Sequence, residues 1–291
     1  EKVVEAFGGH GEFVERPEIA TVLRTLAPGR VVTVAGTGGI GKSRCVSAAA
    51  RRCLGTERFA DGVWLVDLSS LQDGSVAVAS SVASALRLGQ RPGSTATDEV
   101  VDYLRDRRSL IVLDNCEHVL ESVVAFAETV AAASPSTAFL AASRVRLGIA
   151  AESVVTMNRL DDNAAHRLLA ARIAEAGAGP FSDEECAELC DVLDNYPLAI
   201  ELAAARTRSL APREIAARLG DQPALLGSSS TSGERAEVPG RQPGRRYADL
   251  STALDWSLRQ LSPHASDVLG RATVFIISFD LEGAEIMRPT P

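Results

Sequence analysis

The first half of this 291-residue sequence predicts an α/β fold, a parallel sheet covered by helices on both faces, and the second half predicts smaller helical modules. Three observations carry the prediction. Short β-branched runs alternate with helical stretches between Arg30 and Met157. Those runs are apolar at nearly every position, as strands buried on both faces are, and not at every second one. From Asp161 onward the strand signal stops.

Taken in order, the apolar runs are 31–35, 63–68, 110–113, 138–142 and 154–157, and helical spacing falls on 42–54, 76–88, 97–107 and 120–133. Together they delimit a first domain over residues 1–158. A helix over 163–176 ends at Gly177 and Gly179. Ser182 and Glu185 have capping-box spacing, each able to satisfy the other's backbone N–H, and open a helix that runs to 193. Pro197 stands where a first helical turn tolerates proline, ahead of a helix over 198–209, and 212–219 forms another. Residues 159–226 are therefore expected to form a helical domain. The stretch 227–246, rich in Ser, Gly, Pro and Arg, reads as a linker. Helical periodicity resumes around Trp256, so 247–291 is expected to be a third, truncated helical module and the chain a piece of a longer protein.

Composition narrows the function. A formal charge of -8 argues against nucleic-acid binding by this segment, because neutralising phosphates needs a basic face. No apolar run approaches the ~20 residues of a bilayer span, and no signal peptide opens the chain. The five cysteines are odd in number and scattered, which fits a reducing cytosol and no disulfide framework. Cys186 and Cys190 stand i, i+4 but complete an apolar stripe with Leu189 and Leu193, so they are expected to be buried small hydrophobes and not metal ligands.

The chemistry lies in two strand ends. Gly36, Thr37, Gly38, Gly39, Ile40, Gly41, Lys42 and Ser43 fill every fixed position of G-x-x-x-x-G-K-[ST], between a predicted strand and a predicted helix. Glycines let successive N–H groups converge on phosphate oxygens, and the following helix points its positive end at them. Lys42 is expected to reach the β- and γ-phosphates and Ser43 to place its hydroxyl on Mg²⁺. Arg44 continues the phosphate-binding turn. The second half of the site is Asp114, a carboxylate ending the apolar strand 110–113 and expected to anchor the same Mg²⁺. Asn115 occupies the place where hydrolytic relatives of this motif carry an acid, and an amide accepts no proton usefully, so turnover is expected to be slow unless Glu117 substitutes. Arg144, at the end of the fourth strand, is placed to bond a γ-phosphate and report its presence; its alternative is a surface ion pair.

Together these features resemble the STAND class of signalling ATPases in its NB-ARC branch, and most of all the bacterial multidomain regulators of the AfsR and large LuxR types. The likeness rests on Phe13-Val14-Glu15-Arg16, Gly36 to Ser43, the strand Val63 to Leu68, Leu113-Asp114-Asn115-Cys116-Glu117-His118, Ser143-Arg144, and Tyr196-Pro197-Leu198 with the helix after it. Ala253-Leu254-Asp255-Trp256-Ser257 looks like the opening of that family's winged helix. The resemblance implies a P-loop NTPase sheet of order 5-1-4-3-2, with Arg144 as the sensor arginine. It implies that Val14 and Arg16 pack at the base and ribose, and that Pro197 lies against the adenine. Two departures stand out: Glu15 and Asn195 replace glycines usual in the family. The expected function is an ATP/ADP switch with Mg²⁺, serving effector domains elsewhere on the same chain and self-associating when ATP is bound. A phosphoryl-transfer enzyme or motor is the rival, and direct DNA binding by this fragment is disfavoured by charge.

Overall fold

The computed structural model describes residues 14–71, 75–89, 91–150 and 152–220. The linker and winged helix expected over 227–291 lie outside the described residues. The described chain divides into two compact units, one of residues 15–158 and the other of residues 159–220 with Val14.

The first unit is built on five strands, β1 (Val31–Ala35), β2 (Gly62–Asp67), β3 (Ser109–Asp114), β4 (Ala138–Ser143) and β5 (Glu152–Thr156). They pair in the order β2-β3-β4-β1-β5, every pairing parallel. Read from the other edge, this is the expected 5-1-4-3-2. The last strand begins two residues earlier than its apolar run, because pairing with β1 starts at Glu152 opposite Val31 and an edge strand tolerates polar side chains.

Helices lie on both faces. The first face holds Val66, Ile111, Leu113, Phe139 and Ala141. Against it pack α3 (Ser75–Ala85), α4 (Ala96–Leu104) and α5 (Leu120–Ala133). Residues one step out of phase, such as Val32, Val34, Val112 and Leu140, are equally buried. This second face is covered by α1 (Pro17–Thr25) and α2 (Lys42–Cys53). The period of two in side-chain direction converts each continuously apolar run into two buried surfaces. Helix α1 was not among the expected elements, although Pro17 at its first position is a recognisable start signal.

The second unit contains α6 (Asp162–Glu175), α7 (Asp183–Val192), α8 (Pro197–Arg206) and α9 (Pro212–Gly220). Leu169, Leu189, Ile200 and Ile215 form its buried interior. The capping box is present, with Glu185 N–H donating to Ser182 Oγ at 3.2 Å and Ser182 N–H to Glu185 Oε2 at 3.2 Å. Asn195 has φ 54°, the left-handed conformation that the usual glycine would take and that asparagine tolerates best among other residues. Its side chain donates to Asp162 Oδ1 at 2.7 Å, tying the α7–α8 turn to the start of α6.

Candidate functional site

The chain leaves β1 at Ala35 and turns into α2 through residues 36–41. Gly39 and Gly41 have φ of 76° and 100°, where a Cβ is strained. Gly36 is required for a different reason: a Cβ there would lie 3.0 Å from Ile40 Cγ2 and 3.1 Å from Met157 Cβ. Helix α2 then begins with Gly41 as its N-cap, without a side-chain cap and with no acidic residue in its first turn. The first turn of this twelve-residue helix thus supplies no negative charge of its own to its positive end.

Lys42 is buried and donates from Nζ to the Thr37 carbonyl at 3.0 Å, so its ammonium is folded back over the loop. Ser43 Oγ donates to Asp114 Oδ1 at 2.9 Å, and the Asn115 N–H reaches the same oxygen at 3.0 Å. Two residues 71 apart in sequence, one opening α2 and one closing β3, are brought to one point. A hydroxyl and a carboxylate together offer hard oxygen donors of the kind Mg²⁺ takes.

Electrostatics test the fit of a nucleotide. Burial pushes the Lys42 ammonium below its ordinary pKa; Glu117 works against that shift, Arg144 adds to it, and Asp114 again opposes it. Burial pushes the Asp114 carboxyl up, against the bonds from Ser43 and Asn115, with Asp67 and Glu117 adding to the rise. Each charge sits where its charged form is penalised. An anion against Lys42 and a cation against Asp114 relieve both, and a magnesium polyphosphate carries that pair of charges. The residues present fit the group.

The remaining expected residues are placed as follows. Arg144 follows the last residue of β4, the strand between the P-loop strand and the Asp114 strand. Its Nε donates to Glu117 Oε1 at 3.0 Å. Glu117 lies in the short turn Cys116–His118 directly after β3. Ile40 is buried within the loop and Arg44 lies in the first turn of α2. Val14 is buried. Arg16 is also buried, its guanidinium donating to the Ile40 carbonyl at 2.8 Å, to Glu18 Oε1 at 3.1 Å and to the Asn158 carbonyl. Pro197 is the first residue of α8 in the helical unit, with Tyr196 as its N-cap.

One residue escaped the reading of the sequence. Asp67 ends β2 in register with Asp114, and its Oδ1 accepts from Asn115 Nδ2 at 3.0 Å. Burial raises its pKa, but the bonds from Asn115 and Ser69, aided by His118, outweigh that and hold the carboxyl below its ordinary value. Asn115, in a left-handed conformation, is thereby held between the two aspartates. A signal existed: Val63 to Asp67 and Leu110 to Asp114 are both apolar strands ending in aspartate.

Residues 17–137 match the NB-ARC domain family. A Mycobacterium tuberculosis protein of uncharacterised function is 33% identical over 275 residues, which cover 93% of this chain and 67% of that one. The chain belongs to the NB-ARC family. A second M. tuberculosis protein, named as an HTH-type transcriptional regulator, is 35% identical over 263 residues covering 88% of this chain. The chain spans only 28% of the length of that relative. Among solved structures, a STAND protein with a tetratricopeptide-repeat sensor from Pyrococcus horikoshii matches at TM-score 0.56 and 16% identity, over 94% of this chain and 36% of that one. A Walker-type ATPase of Pyrococcus abyssi matches at TM-score 0.51 and 12% identity over 72% of each chain. These two likenesses establish the P-loop NTPase fold. As an NB-ARC module, the sheet domain is a nucleotide-binding domain.

Proposed function

We propose that this NB-ARC module is a nucleotide-controlled switch, holding ATP or ADP with Mg²⁺ and turning ATP over slowly, within a larger cytoplasmic regulator. The observation that carries the reading is the hydrogen bond between Ser43 and Asp114 beside a buried, inwardly folded Lys42. That juxtaposition has a purpose at a magnesium–phosphate site and none in a plain strand-to-helix turn.

The loop amides and the N-terminus of α2 bind the phosphates, Lys42 bonds their terminal oxygens, and Ser43 with Asp114 holds the metal. Bound Mg–ATP supplies the additional terminal charge that separates one nucleotide state from the other. Arg144 reads that charge. Asn115 offers an amide donor already committed to Asp67, so the site has a weak means of withdrawing a proton from water, and slow hydrolysis follows. Arg16 steadies the Ile40 end of the loop, while Val14 and Pro197 are proposed as contacts of the base. The relative named as a transcriptional regulator supports a transcriptional output, through effector domains beyond this segment and with self-association in the ATP state. The linker over 227–246 and winged helix over 247–291 belong to the same proposal.

Calorimetry with ATP and ADP, paired with mass spectrometry of nucleotide released from the purified chain, tests the binding. Tight retention and turnover well below the ~10 s⁻¹ common among enzymes are expected. Lys42→Ala should abolish uptake. A folded chain that takes up no adenine nucleotide, or a Lys42→Ala variant that binds as well as the parent, sinks the proposal. Rapid turnover stimulated by a small acceptor would instead mark a phosphoryl-transfer enzyme.

A further inference from the structure

We propose that Glu117 sets the preference of this site between nucleoside diphosphate and triphosphate, by holding the Arg144 guanidinium in competition with the terminal phosphate. The inference rests on the nucleotide reading above and adds to it a residue that weights the two states.

The pair bridges the working edge of the sheet. Glu117 is fixed in the turn after β3, Arg144 follows the neighbouring strand β4, and the two meet at 3.0 Å. Their exposures are unequal: the Glu117 side chain is 17% exposed and that of Arg144 65%. Arg144 is therefore the partner that can reorient without disturbing the interior, and Glu117 is the fixed post. The ion pair engages Nε, one of the five N–H donors an arginine carries. Glu117 Oε2 is buried and makes no hydrogen bond to any described residue. With one oxygen already unsatisfied, the carboxylate depends on Arg144 for its compensation, and losing the guanidinium would leave a largely buried charge without its partner.

A terminal phosphate presents Arg144 with a second, stronger anion, and phosphate and carboxylate cannot both hold the guanidinium in its best geometry. The Lys42 ammonium feels Glu117 ahead of Arg144 and Asp114, which places all four groups in one electrostatic neighbourhood. Two effects of Glu117 act in the same direction. It retains Arg144, and its own negative charge repels an incoming phosphate. A triphosphate meets both penalties at its terminal group, so the diphosphate state is favoured at rest.

The test is calorimetric titration of the chain, in the presence of Mg²⁺, with ADP and with a non-hydrolysable triphosphate analogue. Glu117→Gln should raise the triphosphate-to-diphosphate affinity ratio about threefold to tenfold, the scale of a partly exposed charge-assisted pair. Glu117→Asp retains the charge and shortens the reach by one methylene, so competition predicts a shift in the same direction. Arg144→Ala should lower the ratio, and adding Glu117→Gln to it should recover much less than Glu117→Gln gains alone. An unchanged ratio in Glu117→Gln overturns the proposal. So does an equal gain with and without Arg144, because the effect would then be repulsion alone. Should the parent chain bind neither ligand, the nucleotide reading itself has failed and this inference with it. Binding of both with a ratio indifferent to Glu117 removes only the inference.

Discussion

Replacing Arg16 by alanine should destabilise the sheet domain before any nucleotide is added. The guanidinium holds the Ile40 carbonyl at 2.8 Å, Glu18 at 3.1 Å and the Asn158 carbonyl, so its loss removes three charge-assisted bonds. Both side chains of the Arg16–Glu18 pair are 9% exposed. Glu18 keeps one bond, from the Asn158 N–H at 3.1 Å, while its Oε2 has no hydrogen-bond partner among the described residues. Breaking a buried ion pair from one side costs about 3–5 kcal/mol, and the bond Glu18 retains puts this case near the lower end. For a domain of this size each kcal/mol is roughly 2–4 °C of melting temperature, so a fall of about 6–12 °C is expected. The assay is far-UV circular dichroism, by heat and by urea, on nucleotide-free protein. Arg16→Ala with Glu18→Gln should regain part of the loss, because the unpaired charge is gone. If Arg16→Ala melts with the parent and only nucleotide affinity falls, Arg16 is a ligand contact and its role as a clamp under the loop is wrong.

Two further outcomes follow from the perturbed groups. Burial raises the Asp114 carboxyl, so its contribution to stability is fully present below the ordinary carboxylate pKa and is lost as pH rises through the folded value. Nucleotide-free protein should therefore lose stability through this group as pH rises above the ordinary carboxylate pKa of about 4, and Asp114→Asn should flatten that part of the melting-temperature profile while removing the Mg²⁺ dependence of nucleotide uptake; an identical profile in the variant would disprove the assignment. Burial pushes the thiols of Cys45 and Cys190 up to about 12, and that of Cys116 higher still. In native protein near pH 8, peptide mapping after alkylation should find Cys186, the half-buried one, modified first and Cys45, Cys53, Cys116 and Cys190 modified only on unfolding; early labelling of Cys45 would contradict its burial in α2.

Much of this protein was written locally. The glycine loop, Lys42 and Ser43 are contiguous, and the phosphate chemistry proposed for them depends on spacing within eight residues. The five strands announced themselves because burial on two faces demands apolar residues at both phases of the pleat, and Asp114 because a carboxylate ending such a run is conspicuous. The Ser182–Glu185 cap is an i, i+3 device and needs no tertiary information. Even the departure at Asn195 was visible, although its left-handed backbone and its bond to Asp162 were not.

What folding alone decided are the partnerships between side chains far apart in the chain. Arg16 meets Ile40 and Asn158 across 24 and 142 residues. Arg144 meets Glu117 across 27, and Asn115 meets Asp67 across 48. In each case the sequence supplied a charged or polar residue whose partner depended on which strands lie side by side, and strand order leaves no trace in local periodicity. Sequence thus determined where phosphate chemistry could occur, through backbone freedom and hydrophobic phase. Tertiary structure determined which charges steady the loop and which one holds the arginine, because Coulombic and hydrogen-bond energies depend on distances that only the packed sheet sets.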